Sequence, residues 1–184
     1  MKQRNKWFWV FFVIFVIAVG VGAGYYFGQK DREQVYEDLA EENKKPQEET
    51  KQEEQTTDEP AAEEEKTVEI PIDFSSLKEK NSEVYAWIRI PDTQVDYPIL
   101  QRASDDLYYL DHTIDGAEGL PGSIYTQSLN AQDFSDKNTV IYGHNMRNET
   151  MFGSLKSYMD ESYMKAHSQI LIYTPEHILT YQVF

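Results

Sequence analysis

Hydrophobic and polar positions divide the chain into three stretches with different patterns. The first is an uncharged apolar run, Trp7 to Phe27, which follows a tail containing three basic residues. At about 1.5 Å per residue, a helix of this length spans roughly 30 Å, the thickness of a bilayer's hydrocarbon core. The pattern predicts a transmembrane signal-anchor helix, residues 7–28, after a basic tail, residues 1–6.

A cleavable signal peptide is the alternative interpretation of this run. Its apolar region is usually shorter, about 7–15 residues, and ends in a small-x-small site, of which Ala18, Gly20 and Gly22 form a poor version. We therefore expect an uncleaved anchor. Positive charge precedes the run and the flank after it is balanced, so the positive-inside rule predicts a cytoplasmic N-terminus and an extracellular C-terminal domain.

The second stretch is strongly acidic. Residues 31–66 contain fifteen Asp or Glu and five Lys or Arg, with Val35, Tyr36 and Leu39 as the sizeable apolar side chains. Few apolar groups and high charge leave little to offset chain entropy. We interpret residues 29–66 as an acidic disordered linker, with one or two helical turns beside the membrane.

The third stretch, residues 67–184, alternates short apolar runs with turn residues. Asp73 is placed to cap a short helix, residues 74–80, and strands are expected at 85–90, 95–99, 123–125 and 139–142. Helical spacing at 152–158 and 162–167 precedes a hairpin with strands 169–173 and 177–184. The pattern predicts a mainly β domain with short helices.

Composition restricts the chemistry. The chain carries a formal net charge of −15 and contains no cysteine, so these residues supply neither a disulfide nor a thiolate. No basic patch with interleaved aromatic residues indicates nucleic-acid binding. The four histidines lack close metal-ligand spacing, although metal binding through them stays an alternative.

One position combines features of a catalytic group. His144 directly follows a predicted buried strand and a glycine that lets the chain turn. A histidine held at a strand end and facing solvent suits a general acid or base. On the residues alone, a structural role for this histidine is the stronger interpretation.

A series of short motifs favours a catalytic role for His144 instead. Taken in order, these motifs make about residues 70–184 resemble class B sortases. The motifs are Trp87-Ile88-Arg89-Ile90-Pro91, Asp96-Tyr97-Pro98-Ile99-Leu100-Gln101, Tyr108-Tyr109-Leu110, Gly122-Ser123-Ile124-Tyr125, Asp133-Phe134-Ser135-Asp136, Asn138 to Met146, Met151-Phe152-Gly153 and Tyr173-Thr174-Pro175-Glu176. The resemblance implies a sortase-like closed β-barrel with short helices. The sequence stops within an alternating apolar run at Phe184, so we expect this barrel to be incomplete at its C-terminal strands, the sequence being truncated before the catalytic Cys and Arg.

The resemblance also implies an activity. In such enzymes a cysteine thiolate attacks a threonyl carbonyl in a C-terminal sorting signal, and a peptidoglycan or pilin amine resolves the thioacyl intermediate. By this resemblance His144 is the catalytic acid/base, while the Cys and an oxyanion-stabilising Arg have no counterpart in these residues. The implied partners are surface proteins with sorting signals and the acceptor amine. No cofactor and no metal are expected.

Three positions match the family's groove for the sorting signal. Leu110 and Tyr142 correspond to residues that line it, and Asp106 falls where many relatives have an asparagine that hydrogen-bonds the signal. An ionised aspartate accepts hydrogen bonds but cannot donate them, so this contact would differ. Ordinary packing or a solvated loop is the alternative for each.

Two functions from different classes follow. The first is a cell-surface cysteine transpeptidase of the class B sortase type. We expect the 184 residues alone to be inactive. The second is a naturally truncated, non-catalytic, membrane-anchored binding protein. For an incomplete barrel we expect a domain that aggregates readily or is partly molten, since unpaired strand edges and a reduced core oppose stability.

Overall fold

The computed structural model describes residues 3–43 and 69–184. One long helix precedes a mostly β domain with short helical segments. The elements are α1 (Gln3–Glu42), α2 (Phe74–Lys80), β1 (Val84–Arg89), β2 (Asp96–Leu100), a first 3-10 helix (Tyr108–Leu110), β3 (Ile124–Thr126), β4 (Ile141–Tyr142), a second 3-10 helix (Gly153–Met159), α3 (Glu161–Ala166), β5 (Gln169–Tyr173) and β6 (Ile178–Gln182).

The six strands form one sheet in the order β4-β3-β2-β1-β5-β6. Strands β2 and β3 are parallel and the other neighbours are antiparallel. The sheet curls into a half-barrel, so that β4 and β6 are its two edges within the described residues. This confirms the predicted mainly β domain, whose sheet does not close into a barrel within the described residues.

The core lies against the central strands β1 and β2. Trp87 and Ala86, on opposite faces of β1, are both 0% exposed. Helices α1 and α2 contact β2 and β1, respectively. The alternation predicted for β1 therefore separates two faces that are both buried, with the helices helping to cover them.

Most predicted elements of the domain are confirmed. Helix α2 begins after Asp73, whose Oδ1 accepts hydrogen bonds from the Ser75 and Ser76 amides at 3.1 Å. The β5–β6 hairpin turns at residues 174–177 as expected. Strand β4 is shorter than predicted, because only Ile141 and Tyr142 pair with β3.

Helix α1 differs from the sequence-based expectation. It continues without a break through residues 29–42, where we expected a linker with at most two helical turns. Tyr36 and Leu39 are 3% and 1% exposed and belong to the domain's core. Contact with the domain stabilises this part of the helix, which its local composition alone would not. The remainder of the predicted linker, residues 44–66, lies outside the described residues.

Helix α1 is also long and apolar enough to cross a membrane. Its most apolar window has a mean hydropathy of 2.3 and none of that window is buried. This agrees with the predicted transmembrane span by length and composition. The helix thus combines an apolar N-terminal part with a C-terminal part that packs on the β domain.

Candidate functional site

The site is built around His144, which lies two residues after β4. Glycine just before it allows close packing, since a Cβ on Gly143 would lie 2.3 Å from Ile124 Cδ1. The His144 carbonyl accepts a hydrogen bond from the Phe152 amide at 3.0 Å. These contacts fix the backbone of His144 while its side chain remains half-buried.

The chain after His144 folds back on itself as a tight loop. Asn145 and Met151 form an isolated antiparallel bridge. Gly153 approaches the loop so closely that a Cβ there would lie 2.3 Å from the Met146 carbonyl oxygen. We call residues 144–151 the histidine loop. Two glycines flank this loop closely: Gly143 packs against Ile124 and Phe152, and Gly153 packs against Met146 of the loop itself.

His144 faces a cavity of about 600 Å³ between the histidine loop and helix α1. The helix contributes Tyr26, Gln29, Lys30 and Glu33 to its wall, and the β domain contributes Leu120 and residues 144–148. Glu33 Oε2 accepts a hydrogen bond from Asn148 Nδ2 at 2.8 Å. Helix α1 is therefore part of the surroundings of the candidate acid/base.

Tyr142 lies on the edge strand β4 and stacks on Tyr125 of β3, with ring centroids 5.3 Å apart. Its hydroxyl is 3.4 Å from Gln127 Oε1. Burial, followed by the charges of Tyr142 and Asp106, raises the pKa of Tyr125. Tyr142 thus presents a half-exposed ring on a supported surface.

The Asp106 carboxylate forms a hydrogen bond within the protein. Its Oδ1 accepts a hydrogen bond from the Ser128 amide at 2.7 Å, and this bond lowers the pKa of the carboxyl group. The carboxylate therefore holds the loop that follows β3. Its second oxygen remains a hydrogen-bond acceptor.

Leu110 lies at the end of the first 3-10 helix and is 46% exposed. The backbone there packs tightly on the chain entering β3: the Ser123 amide donates to the Tyr109 carbonyl at 2.9 Å. A Cβ on Gly122 would lie 2.4 Å from the Leu110 carbonyl oxygen. Leu110 is thereby held next to the beginning of β3.

Strand β3 connects the four predicted residues. Leu110 lies beside the start of this strand, Tyr142 pairs with its middle, and Asp106 binds the loop after its end. His144 follows β4 at the end where β3 begins, since the two strands are antiparallel. The predicted residues thus lie along the β3–β4 edge of the sheet.

Sequence reasoning missed two parts of this site. Tyr125 supports Tyr142 from the neighbouring strand, and helix α1 forms one wall of the cavity. The spacing of Tyr26, Gln29 and Glu33 indicates that they share one face of a helix, but these residues lie on both sides of the expected membrane boundary. No sequence pattern pairs these residues with the histidine loop, because that contact is tertiary.

Comparisons with known proteins agree with this geometry. A family model described as Sortase domain matches residues 88–184. The chain is 40% identical over 99 residues to a sortase B of Listeria monocytogenes, covering 54% of this chain and 40% of that protein. The chain thus spans well under half the length of this curated relative.

Solved structures give the same result. A sortase B from B. anthracis, in complex with AAEK1, superimposes with a TM-score of 0.57 at 37% identity, covering 60% of this chain and 53% of that one. A Streptococcus pyogenes class B sortase involved in pilus biogenesis gives a TM-score of 0.57 at 33% identity, covering 60% and 61%. The chain belongs to the sortase family, and its β domain is that of a class B sortase.

Proposed function

We propose that this chain supplies the histidine-bearing part of a cell-surface transpeptidase that cleaves a C-terminal sorting signal after threonine. The acyl group is then transferred to a peptidoglycan or pilin amine. The observation that carries the proposal is His144, fixed at the end of β4 beside a cavity in a class B sortase domain. The 184 residues contain no cysteine, so this chain alone is inactive.

His144 acts as the acid/base of the reaction. A thiolate from outside these residues attacks the threonyl carbonyl and breaks the C–N bond, while His144 donates a proton to the leaving amine. The acceptor amine then loses a proton to His144 as it attacks the thioester, and the C–S bond breaks to release the thiolate. An arginine, also from outside these residues, stabilises the negative charge on the carbonyl oxygen.

The sorting signal binds along the β3–β4 edge. Leu110 and the exposed face of Tyr142 offer apolar contacts, and the stack on Tyr125 keeps the Tyr142 ring in place. Asp106 is ionised at neutral pH, given its lowered pKa, and accepts a hydrogen bond from a backbone amide of the signal. The acceptor amine reaches His144 from the cavity beside helix α1.

The β domain works outside the cell, attached by the apolar part of helix α1. Residues 7–28 cross the membrane once, with the basic residues 1–6 in the cytoplasm. The support for this is the length and mean hydropathy of the helix and the asymmetric distribution of basic residues. Residues 29–42 continue the same helix and pack on the class B sortase domain, residues 67–184.

The test is a chimera in which the full chain is continued by the part of the Listeria monocytogenes sortase B that follows its matched segment. We expect no transpeptidation of a labelled sorting-signal peptide by the chain alone, and turnover by the chimera. His144→Ala in the chimera should reduce turnover by about 10²–10⁴-fold, the range for a lost general acid/base. His177→Ala is the matched control, because His177 lies in the β5–β6 turn.

Two outcomes would contradict the proposal. A folded chimera whose turnover is the same with His144→Ala would remove the assigned acid/base. A chain that binds the signal peptide alone as tightly as the chimera does, with no turnover in either, would favour the non-catalytic binding protein instead.

A further inference from the structure

We propose that the histidine loop and the exposed face of α1 beside it lie in the headgroup layer of the membrane and bind anionic phospholipid. The cavity of His144 would then open at the bilayer surface rather than away from it. This inference rests on the membrane anchoring proposed above. It follows from how helix α1 is attached to the β domain.

Helix α1 is joined firmly to the β domain just beyond the apolar run. Arg32 Nε donates to the Leu120 carbonyl at 2.8 Å, and the Tyr36 hydroxyl donates to the Gly122 carbonyl at 2.7 Å. Leu39 is 1% exposed within the core. Because α1 is continuous from Gln3 to Glu42, these contacts fix the domain relative to the membrane-crossing part.

The distance along the helix sets the height of the histidine loop. From Phe27, the last residue of the apolar run, Lys30 lies about 4.5 Å and Glu33 about 9 Å further along the axis. The headgroup layer is roughly 5–8 Å thick on each side of the hydrocarbon core. Glu33 hydrogen-bonds Asn148, and Tyr26 lines the same cavity as His144. The histidine loop therefore extends from the level of the headgroups to their outer surface, where Glu33 lies.

The side chains at this level suit that location. Tyr26 is 66% exposed, at the depth where tyrosine is enriched in membrane proteins. Lys30 and Arg147 line the cavity, are exposed, and form no ion pair with any carboxylate of the described residues. Glu33 is the acidic residue of the cavity wall, and both of its oxygens accept hydrogen bonds, from Gln29 and Asn148. The two cations are thus available to lipid phosphates.

The chain offers a clean way to measure this depth, because it contains no cysteine. Single cysteines for a fluorescent label are placed at Tyr25, Asn145 and Leu129 in the full chain, which is reconstituted in nanodiscs containing phosphatidylcholine and a lipid with a nitroxide headgroup. Tyr25→Cys reports the anchor and Asn145→Cys the histidine loop. Leu129→Cys is the matched control, since residue 129 follows β3 at the end opposite to His144 and is 89% exposed.

We expect strong quenching at Tyr25→Cys and Asn145→Cys and weak quenching at Leu129→Cys. Quenching at Tyr25→Cys with none at Asn145→Cys would overturn the inference and leave the anchoring intact. Absence of quenching at Tyr25→Cys would overturn the anchoring and the inference with it.

A second series tests the anionic lipid. Replacing part of the phosphatidylcholine with phosphatidylglycerol should increase quenching at Asn145→Cys. In K30Q/R147Q the apparent affinity for phosphatidylglycerol, read from this increment as the lipid's mole fraction is raised, should fall by about fivefold for each basic residue removed. Lys137→Gln, an exposed lysine at the other end of β4, should leave it unchanged. An increment equal in all variants would overturn the role of the two cations.

Discussion

At the scale of single residues, Tyr36 links helix α1 to the β domain. Its hydroxyl is within 2.7 Å of the Gly122 carbonyl and 2.8 Å of Ser123 Oγ, and it accepts from the Ile114 amide at 3.1 Å. Burial raises the pKa of Tyr36, so the hydroxyl keeps its proton throughout the neutral range. One side chain thus satisfies polar groups from two segments of the domain.

Tyr36→Phe removes that hydroxyl and keeps the ring. The Gly122 carbonyl and the Ile114 amide then lose a buried partner, so we expect the free energy of unfolding to fall by about 1–3 kcal/mol. Thermal unfolding of the full chain in nanodiscs, followed by near-ultraviolet circular dichroism, measures the change. Tyr142→Phe is the control, because its hydroxyl is on an exposed ring. Equal losses in the two variants would contradict the buried network.

At the scale of elements, the histidine loop depends on close packing at both ends. The second 3-10 helix begins at Gly153, against the Met146 carbonyl. Gly143 follows β4 and packs against Ile124 and Phe152. The obstacle at Gly143 is the end of flexible side chains, whereas the obstacle at Gly153 is backbone. Gly153 is therefore the more restrictive position.

Gly153→Ala should displace the histidine loop. A Cβ at 2.3 Å from a carbonyl oxygen forces the backbone apart, and overpacking of this kind costs about 1–3 kcal/mol. We expect lower thermal stability and shifted imidazole resonances of His144 in nuclear magnetic resonance spectra. Ser154→Ala is the neighbouring control: Ser154 Oγ is buried without a hydrogen-bond partner in the described residues, so its removal should not destabilise the domain. Unshifted His144 resonances in Gly153→Ala would refute this packing.

Local patterns predicted the elements whose signals are local. The Asp73 cap and the β5–β6 hairpin were identified because capping and turn residues act on their immediate neighbours. The C-terminal part of helix α1, residues 29–42, was not predicted. Its charges suggest a linker, and its few apolar side chains become buried only through tertiary contact. The position of His144 after a strand was predicted from its local sequence and its acid/base role from the family resemblance, whereas the helix wall of its cavity required the structure.

At the scale of the whole molecule, the half-barrel has a large apolar concavity. A groove of about 760 Å³ lies between β1, β5, β6 and the segment before β4. Ile88, Ile170 and Phe184 are among its lining residues, and Phe184 is fully exposed. Such apolar surface costs free energy in water and favours association with other apolar groups. The relatives, of which this chain spans about half, have further chain available to cover the corresponding surface.

This apolar groove leads to a prediction about dye binding by the chain. We expect the full chain in nanodiscs to bind a hydrophobic fluorescent dye strongly, and the chimera with the Listeria monocytogenes continuation to bind much less, because added strands would cover the groove and pair with edge β4 or β6. Phe184→Gln should weaken dye binding by the chain, while Leu129→Gln, exposed but outside the groove, should not. Equal dye binding by chain and chimera would mean that the continuation does not complete this barrel, and the acid/base role proposed for His144 could not then be tested in the chimera.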